Sequence, residues 1–385
     1  FDAYADLLAA IPADARILVG VCTPDDAWLF ESRLGLDAAP DARIAFVDSG
    51  RPVTGWARDR YVVFPRHGRP TLAIQPDEEV EPAYAGDAAV GRALLPRVPG
   101  LALLETRLRF EGGDILLSDD RVACGIGTFM ANLEFGEVAQ VRAEIETLFG
   151  RKLIVLGTDP ALLPHEHCDM YLAFPAPRTA LVGDPTLALS YFDALQELGL
   201  EEGDIRGVGT FRRETQLKAA AAYEAIATQL AEEGYAVERV PALHSEEGEM
   251  LTWTNAVLER RDGGMRAYVP AYGVPLLDKR AHAAWVRTGC EVFPIRADKI
   301  VRQGGAIRCL TQEVRTPPAP PPVRRWGVKA ARRARGSGRA GRGTVSSAAP
   351  GRSPGPRRGA PGAPPCAPPP RARACPAPRS PRRRA

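Results

Sequence analysis

Five segments of this 385-residue chain share one pattern, a polar residue leading into a short apolar run. They are Trp56–Phe64 (WARDRYVVF), Glu111–Leu117 (EGGDILL), His167–Leu172 (HCDMYL), Trp253–Leu258 (WTNAVL) and Gly304–Leu310 (GGAIRCL). The polar positions Asp59, Asp114, Asp169, Asn255 and Cys309 are separated by 55, 55, 86 and 54 residues. Near-equal steps with one insertion predict five copies of one strand–helix unit. The extra length in the fourth falls around Ser190 to Thr215. In a radial arrangement, equivalent ends of the copies point at one axis. That would gather Asp59, Glu111, Asp114, His167, Asp169 and Cys309 in a central pocket.

Local patterns agree with an α/β class. Ile17–Val21, Ile44–Val47 and Leu153–Leu156 read as buried strands. Val138 to Phe149 carries apolar residues at helical spacing, and Lys218 to Glu233 is rich in Ala, Leu and Glu with Gly234 as a stop.

Charge divides the chain in two. Residues 315–385 hold 18 basic side chains and no acidic one, with 17 of the 36 prolines and no Leu, Ile, Phe, Met or Tyr. Such a segment buries too little apolar surface to offset its ordering entropy and is expected to be disordered. Residues 1–314 then carry a formal charge of −15 and form the folded domain. The basic tail offers anions a non-specific, screened attraction. With only Trp326 for stacking, it argues against nucleic-acid base recognition.

No apolar run is long enough to span a membrane. The seven cysteines, at positions 22, 124, 168, 290, 309, 366 and 375, form no CxxC pair. Neither a zinc ribbon nor a disulfide scaffold is expected, and a cytoplasmic setting is the default. His165-Glu-His167 with Asp169 resembles a metal-ligand cluster, but it lacks a distant fourth ligand, so no metal is assigned.

The gathered residues permit a definite chemistry. Cys309 is a potential nucleophile once ionised, and His167 is its natural acid/base partner. If residues 167–169 are strand, His167 and Asp169 face the same side. Several carboxylates around one thiol oppose thiolate formation. The arrangement makes sense for a substrate that brings a delocalised cation. A guanidinium matches paired carboxylates by bidentate hydrogen bonds, and its central carbon is a target for sulfur. The Gly112–Gly113 pair lets a backbone approach closely.

Trp-x-Arg-Asp at Trp56, Phe-Glu-Gly-Gly-Asp at Phe110, His-x-Asp-Met-Tyr at His167 and Gly-Gly-x-Ile-x-Cys-x-Thr-Gln at Gly304, in this order, resemble the guanidino-group-modifying (pentein) superfamily. That superfamily includes agmatine deiminase, arginine deiminase, dimethylarginine hydrolase and the amidinotransferases. The resemblance runs from about residue 17 to Val314. It implies a five-bladed pseudo-symmetric α/β-propeller of ββαβ units with an axial active site and no cofactor. It implies that Cys309 attacks the guanidinium carbon, that His167 protonates the leaving amine, and that Asp59 and Asp169 hold the guanidinium nitrogens. Glu111 or Asp114 would orient His167. Two positions depart from the agmatine deiminase pattern: Arg308 replaces the usual His before the nucleophile, and Arg60 follows Asp59. Arg58 and Arg308 are therefore candidate substrate contacts, and Arg308 or Arg60 a partner for a substrate carboxylate. The expected activity is a deiminase-type hydrolase of an agmatine- or arginine-like molecule. Transfer of the amidino group to an amine, and a silent protein binding guanidino ligands or nucleic acid, are the alternatives.

Overall fold

The computed structural model describes residues 1–64, 71–76 and 86–314. The basic tail, with Trp326, Cys366 and Cys375, lies outside the described residues.

The fold is mixed α/β, built from five small sheets in chain order. The first pairs β1 (Ile17–Val21) with β2 (Ile44–Asp48) in parallel. The second holds β3 (Val62–Phe64), β4 (Thr71–Gln75) and β5 (Leu101–Glu105). The third holds β6 (Ile115–Leu117), β7 (Arg121–Gly125) and β8 (Lys152–Leu156). The fourth holds β9 (Leu172–Ala176), β10 (Thr179–Asp184), β11 (Ala236–His244) and β12 (Met250–Thr252). The fifth holds β13 (Val257–Arg261), β14 (Gly264–Ala271) and β15 (Cys290–Arg296). The last four repeat one topology. A first strand pairs antiparallel with the second, and a helical crossover brings the next strand in parallel. Parallel pairing demands such a crossover, which is why each repeat needs its helix.

The expected strands and helices are present, with their boundaries refined. The helix Val138–Phe149 begins at a capping box between Glu137 and Gln140 and stops at Gly150, whose φ of 61° suits a residue without a Cβ. The long helix starts at Arg213, ahead of Lys218, and ends at Glu232 before Gly234. The insertion in the fourth repeat contains a further helix, Leu189–Glu197. One expectation is corrected. His167 and Asp169 are not in a strand, because Cys168–Met170 forms a 3-10 turn and β9 starts only at Leu172. The alternation argument therefore does not apply, and the turn buries Asp169 fully while leaving His167 partly exposed.

Asp59, Asp114, Asp169 and Asn255 sit just before the first strands of the last four sheets, Cys309 lies in a turn that no described strand follows, and the five segments are stitched into a closed cycle. Arg58 N–H donates to the Cys309 carbonyl (3.1 Å), and Gly112 N–H to that of Asp59 (3.3 Å). Asp169 N–H donates to Gly113 (3.2 Å), and Arg308 N–H to Asn255 (3.2 Å). The Thr254 hydroxyl closes the remaining step by donating to the Met170 carbonyl at 2.8 Å. Five segments far apart in sequence thus share one small region.

The fourth segment is braced from behind by a buried aromatic group. Trp253 Nε1 donates to Asp278 (3.0 Å), Trp285 Nε1 to the Trp253 carbonyl (2.8 Å) and Tyr272 Oη to the Thr252 carbonyl (2.9 Å). Both tryptophans are fully buried. Trp253→Ala removes an indole and leaves Asp278 short of a donor, so it should cost about 3–5 kcal/mol in denaturant unfolding. A loss under about 1 kcal/mol would show that this brace is dispensable.

Candidate active site

Cys309 lies in the turn that follows Gly304 (φ 88°) and Gly305, and is 4% exposed. Asn255 holds it. Its Oδ1 accepts from Arg308 N–H (2.9 Å) and Cys309 N–H (3.3 Å), while its Nδ2 donates to Cys309 Sγ (3.3 Å). Burial pushes the Cys309 thiol well up, and Asp169 and Asp59 push it the same way. At neutral pH the sulfur therefore carries its proton. The indole of Trp56 packs on Gly305, where a Cβ would come within 2.6 Å of the ring.

His167 is 19% exposed, and its Nε2 shares a 2.5 Å hydrogen bond with Glu111 Oε2. Burial alone would depress its pKa. The Glu111 bond and the charges of Asp114, Asp59 and Asp169 outweigh burial and lift it to about 10. The same bond holds Glu111 below its ordinary value. The Asp114 carboxylate faces elsewhere and accepts the Glu111 N–H at 2.8 Å. So Glu111 touches the imidazole, and Asp114 shapes the turn that presents Glu111.

The glycine pair is required by close approach. A Cβ on Gly112 would lie 1.8 Å from the Arg58 carbonyl oxygen, and one on Gly113 would lie 2.6 Å from His167 Nδ1. Any side chain at either position would force these segments apart.

Asp59 and Asp169 are, like Asp114, buried carboxylates of the cluster, 8% and 0% exposed, and are the two with an unmatched oxygen. Each has one buried oxygen, Oδ1, without a hydrogen-bond partner. Burial raises Asp59 to about 7. His167 opposes that rise, while Glu111 and Asp169 add to it. Burial likewise raises Asp114 to about 6.

The arginines are placed differently from one another. Arg58 is buried and ion-paired with Glu313, not with the aspartates. Arg308 Nη1 lies 3.3 Å from Asp169 Oδ2. Arg60 is ion-paired with Asp87 at 2.5 Å. None of the three presents a free guanidinium at the cluster. Asn255 is the residue whose part sequence reasoning missed. Its signal was its register with the four other polar positions.

The His165-Glu-His167 pattern does not converge as ligands. His165 Nδ1 accepts the His167 N–H at 3.0 Å, and burial, with the His167 charge, lowers its pKa to about 4. The ligand atoms that do meet are those of Asp59, Glu111 and His167, within 4.8 Å of one another. Glu111 and His167 are bonded to each other, so a metal there would have to displace that hydrogen bond.

No protein-family model and no curated protein matches the chain. Solved structures do. Agmatine deiminase of C. jejuni is 16% identical, with a TM-score of 0.59 over 80% of this chain and 85% of that one. A cysteine-to-serine variant of that enzyme with substrate bound is 15% identical, with a TM-score of 0.58 over the same shares. Agmatine deiminase of Enterococcus faecalis is 16% identical, with a TM-score of 0.54 over 80% and 86%. The chain has the fold of these agmatine deiminases. Its resemblance to the guanidino-group-modifying superfamily thus extends from four short motifs to the architecture.

Replacing Glu111 with Gln removes the charge that His167 leans on. The His167 pKa should fall by about 1–2 pH units, leaving a neutral imidazole near pH 9. Histidine ring NMR titration reads this directly, and an unchanged midpoint would assign the elevation to the other carboxylates.

Asp59 gives a linkage prediction. Its folded value near 7 lies above the ordinary 3.8, so it binds a proton more tightly when folded. It costs nothing below about pH 4, where both states are protonated, and the penalty grows to its full size above pH 7. Asp59→Asn should therefore raise Tm by several degrees at pH 8 and by little at pH 4. An equal gain at both would exclude titration as the cause.

Proposed function

We propose that the protein hydrolyses a carbon–nitrogen bond of a guanidino compound, with Cys309 as nucleophile. The observation that carries this reading is the pair of buried, unpartnered carboxylate oxygens on Asp59 and Asp169, beside a buried thiol. A buried acceptor without a donor is costly, and two of them facing a thiol call for a cationic donor. A guanidinium supplies planar N–H groups for both and places its electron-poor carbon at the sulfur. Support comes from the fold shared with agmatine deiminases, one a cysteine-to-serine variant with substrate bound. On the same reading, the five sheets are blades around an axis, and the closed cycle of hydrogen bonds surrounds it.

The chemistry follows from the electrostatics. In the free protein Cys309 is a thiol and His167 an imidazolium. Binding of a cation between the aspartates removes the charge imbalance that keeps the thiol protonated, and the proton leaves to solvent. The Cys309 thiolate adds to the guanidinium carbon. His167 gives its proton to the departing nitrogen, which leaves as ammonia or an amine, and an amidino group remains on sulfur. The now neutral His167 takes a proton from water as the water adds to that carbon. Collapse releases the ureido product and the thiolate. Glu111 orients the imidazole and stabilises its charged form.

Arg308 occupies the second oxygen of Asp169 and bears on the choice of substrate. Agmatine, arginine and short guanidino acids form the panel that separates the cases, since arginine and the acids offer a carboxylate and agmatine does not. A new guanidino product formed in the presence of an added amine would indicate transfer instead of hydrolysis.

Cys309→Ser should lower turnover of the best panel substrate at least about a thousandfold while leaving its binding within a few-fold. Wild-type protein quenched during turnover should gain the mass of the substrate less its departing ammonia or amine on the peptide containing Cys309. Retained turnover in Cys309→Ser would sink the mechanism.

A further inference from the structure

Asn255 is fully buried, and its side-chain amide grips the turn that carries Cys309. Oδ1 accepts the N–H groups of Arg308 (2.9 Å) and Cys309 (3.3 Å), and Nδ2 lies 3.3 Å from Cys309 Sγ. Two N–H donors on Oδ1 settle which end of the amide is oxygen, so the NH2 group is the end that meets sulfur. The backbone around it is pinned as well. The Asn255 carbonyl accepts the Arg308 N–H at 3.2 Å, and the neighbouring Thr254 hydroxyl donates to the Met170 carbonyl at 2.8 Å.

The sulfur can use both ends of this amide. As a thiol it donates S–H to Oδ1 at 3.5 Å, and as a thiolate it can only accept, from Nδ2 at 3.3 Å. Neither state requires the amide to turn. Burial and Asp169 are the main forces raising the Cys309 pKa, with Asp59 adding to them, while hydrogen bonds from the Ala306 backbone and Asn255 pull it down. Arg58 and Arg308 also act on this sulfur as cations, and the Tyr272 phenol, held neutral by burial, is a further titratable neighbour. Among the described residues, Asn255 is the side chain that hydrogen-bonds Cys309 Sγ.

We propose that Asn255 is a catalytic residue of the hydrolysis assigned above, its Nδ2–H being the preorganised donor that holds the Cys309 thiolate. The inference rests on that assignment and adds to it. When a bound cation triggers ionisation, the S–H bond breaks, the electron pair stays on sulfur and the proton goes to solvent. The Nδ2–H contact then becomes a charge-assisted hydrogen bond. It weakens as the sulfur pair forms the S–C bond to the guanidinium carbon. It is regained when that bond breaks and the thiolate departs, so one donor serves both attack and release. The amide already stands in place in the resting protein, so neither step requires it to reorganise.

Asn255→Asp is the sharpest test, because it keeps the Oδ1 acceptor and exchanges the donor for a negative charge. Alkylation of Cys309 by iodoacetamide, followed by mass on the Cys309 peptide of the full chain between pH 7 and pH 9, reads the thiolate without turnover. Losing the bond should raise the thiol pKa by about 1–2 pH units. Nucleophilicity rises with pKa and restores about half of that on a logarithmic scale, so the rate should fall about three- to tenfold or more. Asn255→Ser, neutral and smaller, carries the test if the buried charge prevents folding, and it too should slow alkylation about three- to tenfold. In turnover of the best panel substrate, the acidic limb of the kcat–pH profile should move up by about 1 pH unit or more. A merely structural role would lower Tm and leave that limb in place. A wild-type alkylation rate in either folded variant, or an unmoved acidic limb, overturns the proposal. The alkylation rates do not depend on turnover, so that failure is distinct from failure of the hydrolase reading, which absence of turnover across the whole panel would mark.

Discussion

The closed cycle of hydrogen bonds among the five repeat segments is the constraint on which the rest depends. It runs Cys309 to Arg58, Asp59 to Gly112, Gly113 to Asp169, Met170 to Thr254 and Asn255 to Arg308. Each link joins one of the five segments to the next. The cycle tolerates no bulk at Gly112 and Gly113, because a backbone carbonyl and an imidazole already fill the space a Cβ would take. Closure at that distance forces acidic groups together. Asp59 rises to about 7 and Asp114 to about 6 because burial leaves their charge poorly solvated. The same closure stores a functional arrangement at some cost in stability, a familiar trade at sites evolved for binding.

The resting electrostatics are those of a site short of a cation. The thiol is protonated, the imidazole is charged, and two buried carboxylate oxygens lack donors. Among the described residues the nearby positive groups are already engaged, His167 by Glu111, Arg308 by Asp169, Arg58 by Glu313 and Arg60 by Asp87. On the proposed reading, a guanidinium completes the set and ionises its own nucleophile in doing so.

Much of this was legible in the chain. Near-equal spacing of Asp59, Asp114, Asp169, Asn255 and Cys309, with one insertion, announced a repeat, because a repeated unit reuses its length between equivalent points. Helix Val138–Phe149 was readable from its periodicity. Local propensity and spacing act over a few residues, so they survive in sequence.

What the sequence by itself determined was the repeat, the α/β class and the residue types brought toward one region. Only the tertiary structure decided which of those residues touch. Glu111, not Asp114, meets His167, which stands just before the 3-10 turn at Cys168–Met170. Arg58 turns away to Glu313 across 255 residues, and Asn255 grips Cys309 across 54. A side chain's partner is set by distances and burial that exist only after closure, and the charge state of each group follows from that partner and from the water it has lost.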